Sequence, residues 1–183
     1  MMRSLFLLLF LLPVATHAQY IPPDELEESY TDKVTNQSTK CTYWHVLRRA
    51  TMRNPLSIWY RVSAIDNTRH YLELKVTMGG DGFLVARNQP LDLFLLGGKA
   101  VTLYNSQYTH SCKGCGNRHD NGDKQGVTLT YPIPDEDFKL LRNAFVDRIR
   151  LHYEGKYIGA DIHGSNGDLF REQMDLVFHA HEN

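Results

Sequence analysis

From Cys41 onward, apolar and polar residues alternate with a period of two, the signature of half-buried strands. Leu56, Ile58, Tyr60, Val62 and Ala64 are interleaved with Ser57, Trp59, Arg61 and Ser63. After the turn-forming run Asp66-Asn67-Thr68 the alternation resumes as Leu72, Leu74 and Val76 against Glu73, Lys75 and Thr77. This predicts a hairpin with one apolar and one wetted face. Gly79-Gly80-Asp81-Gly82 breaks the chain before a short apolar piece, Phe83 to Ala86. Leu91, Leu93 and Leu95 lead into Gly97-Gly98 and out again to Val101 and Leu103, a second hairpin whose glycines accept the positive φ of a tight turn. A third group holds Val127, Leu129 and Tyr131, then Ile149, Leu151 and Tyr153 and, across Glu154-Gly155, Ile158, Ala160 and Ile162.

Between these strands the period becomes helical. Asp135 is placed to cap a helix, Glu136 and Asp137 complement its positive end, and Phe138, Leu141 and Phe145 recur at helical spacing. A second helix is predicted from about Asp168 to His179, where Phe170, Met174 and Val177 form a stripe. There is neither an internal repeat nor the strand-helix alternation of a parallel sheet. The prediction is therefore a mainly β, α+β domain: antiparallel sheets packed as a sandwich or open barrel, with one or two short helices.

The run Val127 to Tyr131, the helix opening Pro134-Asp135-Glu136-Asp137, the segment Asp147-Arg148-Ile149-Arg150-Leu151 and the hairpin ending near Ile162 resemble small exported bacterial β-rich proteins of unknown function. The resemblance covers residues 127–162. It implies a bacterial envelope or secreted setting and carries no activity.

The amino terminus points the same way. Met1-Met2-Arg3-Ser4 supplies a positive charge, Leu5 to Val14 is an almost unbroken apolar run, and Thr16-His17-Ala18 ends in the small residue a signal peptidase accepts. Residues 1–18 are read as a signal peptide cleaved near Ala18/Gln19, which makes the protein secreted or periplasmic. The run is about half as long as a membrane-spanning helix, and the residue after cleavage is Gln19 where a lipid anchor would need cysteine. Residues 19–40 hold Pro22-Pro23, the acidic group Asp24, Glu25, Glu27 and Glu28, and the polar series Thr31 to Lys40, and are expected to be a flexible polar lead-in. Asn36-Gln37-Ser38 fits the glycosylation sequon, but the triplet is common by chance and an ordinary polar linker is the preferred reading. Residues 41–183 are then a single β-rich globular domain. The net charge of −1 at pH 7 argues against nucleic acid as a partner.

Chemistry concentrates in Asn105 to Gly126, a stretch without strand or helix periodicity that is longer than most connections in a domain. It holds His110-Ser111-Cys112-Lys113-Gly114-Cys115 and His119. In an oxidising compartment Cys41, Cys112 and Cys115 are disulfide candidates, and a bridge from Cys41 is preferred because closing so long a loop contributes on the order of 4 kcal/mol. The alternative is a zinc protein or enzyme centred on His110, Cys112, Cys115 and His119, since Cys112 and Cys115 have the spacing of a zinc knuckle. A redox dithiol lacks the helix amino terminus that would lower a thiol pKa. The oxygens of Asp120, Asn121 and Asp123 lack the terminal glutamate of a calcium loop.

No nucleophile is paired with a base. The sequence therefore favours a non-enzymatic binding or structural domain, with no cofactor, whose partner is a protein, a glycan or a small ligand. Arg148, Arg150 and His152 project from one face of a predicted strand, with Lys156 near the next turn, and could receive an anionic group; a solvated strand face would look the same. Trp44, Trp59 and Tyr157 are aromatic candidates for a carbohydrate or protein contact.

Overall fold

The computed structural model describes residues 26–52, 55–115 and 124–179. Residues 1–25, which carry the expected signal peptide and the first part of the lead-in, lie outside the described residues. Two antiparallel sheets dominate. The larger contains β1 (Leu26–Thr31), β2 (Ser38–Thr42), β3 (His45–Arg48), β4 (Ser57–Ile65), β5 (Arg69–Met78), β10 (Cys112–Lys113) and β11 (Gln125–Ile133). Its order is β1-β2-β4-β5-β11-β10, with β3 paired to β4. The smaller contains β7 (Pro90–Leu95), β8 (Ala100–Tyr104), β12 (Val146–Tyr153) and β13 (Lys156–Asp161) in the order β13-β12-β7-β8. Two short strands, β6 (Leu84–Val85) and β9 (Thr109–His110), pair with each other, and α1 (Asp135–Arg142) and α2 (Gly164–His179) complete the fold.

The predicted alternation sets the core. Ile58, Tyr60 and Val62 of β4, Leu72, Leu74 and Val76 of β5, Val127, Leu129 and Tyr131 of β11, Leu91 and Leu93 of β7, Val101 and Leu103 of β8, and Ile149 and Leu151 of β12 are all buried in one cluster. The turns follow local chemistry. Gly97 and Gly98, both at positive φ, join β7 to β8, and Glu154 and Gly155 do the same between β12 and β13.

Three expectations need correction. The lead-in is structured from Leu26: β1 and β2 form a hairpin that pairs with β4, placing Cys41 beside Ser63. Its turn is held by Asp32, whose carboxylate accepts hydrogen bonds from the amides of Val34 and Thr35. An edge hairpin needs main-chain partners more than apolar side chains, so its polar composition concealed it. Asp135 opens α1 and does not cap it; Pro134 holds the cap place, without a side-chain cap hydrogen bond. The helix ends at Arg142, and Phe145 precedes β12 with the Arg171 guanidinium over its ring.

Helix α2 begins at Gly164, earlier than its apolar stripe suggests, and packs Phe170, Met174 and Val177 into the core. Gly167 makes this approach possible, because a Cβ added there would lie 2.8 Å from the carbonyl oxygen of Val146. In an ordinary helix interior, Gly→Ala stabilises by up to about 1 kcal/mol. Here the sign reverses: Gly167→Ala is expected to destabilise by about 1–3 kcal/mol, as overpacking against backbone does. Urea unfolding of the variant checks this, and a gain in stability would refute the close approach.

Candidate functional site

Strand β12 alternates between core and solvent. Ile149 and Leu151 point inward, so Arg148, Arg150 and His152 occupy the opposite, outer face of the smaller sheet. Cross-strand register adds their neighbours. Arg148 stands between Phe94 and Asp161, and Arg150 between Asp92 and Gly159, while His152 stands beside Tyr157.

Asp92 organises one half of this face. One carboxylate oxygen is 2.9 Å from His152 Nε2, and the other accepts a hydrogen bond from the Thr102 hydroxyl at 2.9 Å. Arg148 Nε donates to Asp161 at 3.2 Å. Arg150 is held differently. Its guanidinium lies 5.0 Å from the centre of the Phe94 ring and 4.8 Å from that of Tyr157. Its nearest carboxylate oxygen, on Asp92, is 3.9 Å away, beyond hydrogen-bond distance. Gly159 puts no side chain beside it, and Tyr157 is 63% exposed. The result is a cation stacked on aromatic faces, with planar N–H donors not hydrogen-bonded to an acceptor among the described residues.

The sequence indicated Arg148, Arg150 and His152 as one strand face, and Tyr157 apart from them. It gave no sign that Asp92, Phe94, Thr102 and Gly159 share their surface, because these come from β7, β8 and β13. The out-of-phase positions of β7, Asp92 and Phe94 between Leu91, Leu93 and Leu95, were the available signal. Trp44 and Trp59 belong elsewhere: Trp59 lies in β4 of the larger sheet, and Trp44 carries Lys75 and Arg61 over its ring at 3.8 and 4.9 Å. Lys156 opens β13 at the turn, as expected.

The cysteine cluster departs from expectation. Cys112 and Cys115 are bonded to each other, and Cys41 is a free, buried thiol. The preferred Cys41 bridge fails on distance. Between β2 and β10 stand β4, β5 and β11, roughly 19 Å at the usual strand spacing, whereas a disulfide needs Cα atoms about 4–7 Å apart. The short ring closed by Cys112 and Cys115 contributes at most about 2 kcal/mol in the chain-entropy model. Burial raises the pKa of the Cys41 thiol.

For the alternative zinc set, a bonded pair of sulfurs offers no thiolate. His110 lies on β9 with its ring edge-on to Tyr108, and His119 lies outside the described residues, as do Asp120, Asn121 and Asp123. Among the described residues no cluster of His, Cys, Asp and Glu has the geometry of a metal site. No described helix is long and apolar enough to cross a membrane. The chain matches no protein-family model, no curated protein and no solved structure.

Proposed function

We propose that this chain is an exported binding domain that holds an anionic group of its ligand on the outer face of the smaller sheet, centred on Arg150. The observation carrying this reading is the Arg150 guanidinium itself. It is stacked between Phe94 and Tyr157, without a hydrogen-bonded carboxylate, and open on the side of Gly159. A guanidinium so positioned offers paired donors to a carboxylate or sulfate, while exposed Tyr157 offers a flat apolar surface to a sugar or peptide. Thr102 and His152 fix Asp92, so the face is ordered before a ligand arrives. Export rests on the apolar leader.

The test uses three polymers of known charge: heparin, polygalacturonate and uncharged dextran. Calorimetric titration is expected to show binding of at least one polyanion, weakening with salt, and none of dextran. Arg150→Gln is expected to weaken binding by about tenfold or more, the value of one charge-assisted contact. Arg69→Gln, which alters a residue paired with Asp66 in the other sheet, leaves it unchanged. Equal affinities for wild type and Arg150→Gln would sink the proposal, as would dextran binding as tightly as the polyanions.

A further inference from the structure

Strand β8 forms one end of the smaller sheet, hydrogen-bonded to β7 on one side and, among the described residues, to no strand on the other. Its hydrogen bonds to β7 fall on alternate residues. The amide of Asn105 donates to Gln89 O and that of Leu95 to Lys99 O, which assigns the odd-numbered residues of β8 to the ladder. Ala100, Thr102 and Tyr104 therefore turn their N–H and C=O groups toward the open edge. All three are exposed.

Exposed edges are usually blunted by charge. The other end strands of the two larger sheets obey this: β1 carries Glu27 and Glu28, β10 carries Lys113, and β13 carries Lys156 and Asp161. Strand β8 reads Ala100-Val101-Thr102-Leu103-Tyr104, without charge or proline and with strong β-formers. Beside it lies a cleft of about 440 Å³, walled across from the strand by Pro132, Pro134 and Asp137.

We infer that β8 pairs with β8 of a second copy of this chain, antiparallel about a two-fold axis at Thr102. This register is self-complementary. Thr102 faces Thr102, and small Ala100 faces large Tyr104 twice, both pairings that a sheet face accommodates. The three outward residues of each strand match N–H to C=O across the axis. One position further, Lys99 comes opposite the partner's Asn105, at the cleft walled by the partner's Asp137. Neither Lys99 nor Asp137 forms an ion pair among the described residues, so their charges are available to complement each other. A two-fold interface of this kind closes on itself and leaves only the charged β13 strands as edges of the joined sheet. It also sets both Arg150 faces on the same side of one continuous sheet. The inference does not depend on what those faces bind.

Sedimentation and amide hydrogen exchange test it together. The chain is expected to pass from monomer to dimer as its concentration rises through the micromolar range. Exchange at the Thr102 and Tyr104 amides should slow in step, while that at Val101 and Leu103, already in the ladder, changes little. Thr102→Pro removes an outward N–H, leaves the main-chain bonds to β7 intact while losing the hydroxyl bond to Asp92, and is expected to weaken dimerisation at least tenfold. As a check that needs no proline, Lys99→Asp and Asp137→Lys should each weaken the dimer and, combined, restore it. Three results would overturn the inference: a chain monomeric at millimolar concentration, a dimer in which Thr102 exchange is unaffected, or Thr102 and Tyr104 protected only when a threonine–valine hexapeptide is added.

Discussion

Truncating Phe170 to alanine is expected to destabilise the fold by about 3–5 kcal/mol, a large share of the 5–15 kcal/mol that holds a typical domain together. Phe170 is completely buried, and its ring centre is 5.0 Å from that of Tyr60, itself fully buried on β4. The ring is the point at which α2 meets the larger sheet, and alanine leaves a hole that surrounding strands are too firmly paired to fill. A neighbour on the same helix provides the contrast. Phe178 is 38% exposed, with the Arg142 guanidinium 3.5 Å from its ring centre, and its truncation is expected to cost less than about 1 kcal/mol. Chemical denaturation of the two variants decides the point, since similar losses would mean that α2 is not anchored by Phe170.

The second large effect is alkaline unfolding. The hydroxyls of Tyr60 and Tyr131 are buried without a hydrogen-bond partner among the described residues, and burial raises both pKa values. Their folded-state values therefore exceed those of the unfolded chain. Below about pH 10 both states keep these protons and stability does not depend on them. Above it the unfolded chain releases them while the fold retains them, so stability falls as pH rises, by about 1.4 kcal/mol per pH unit for each tyrosine. The Cys41 thiol, also raised by burial, adds to the loss from a somewhat lower pH. Midpoints of urea unfolding should drop steeply between about pH 10 and 11. Tyr60→Phe with Tyr131→Phe should remove most of that slope and leave stability near neutral pH undiminished, because no satisfied hydrogen bond is lost. An unchanged slope would refute the assignment.

The parts legible in the sequence were those where one side chain in two is buried. Leu72-Glu73-Leu74-Lys75-Val76 can hardly be anything but a strand with one dry face, and Gly97-Gly98 and Glu154-Gly155 announce their turns. Leu26 to Thr42 was illegible because an edge hairpin is held mainly by its main chain, which carries no residue signature. The site was half legible for a related reason. Alternation along β12 puts Arg148 and Arg150 on one face, but Phe94 and Gly159 join them only through the order β13-β12-β7, fixed by pairings distant in sequence. Cysteine pairing failed likewise: spacing gives candidates, and strand order decides which can touch.

The solitary thiol of Cys41 gives the molecule an internal clock. Enclosed on β2 between β1 and β4, it is withheld from oxidants and from the Cys112–Cys115 bond for as long as the edge hairpin stays seated. The rate at which an added thiol reagent captures it thus measures how often β1 and β2 open. Each such opening is also the moment when the short ring could be attacked and the three sulfurs re-paired, so the polar hairpin at the sheet edge guards the chain's covalent connectivity.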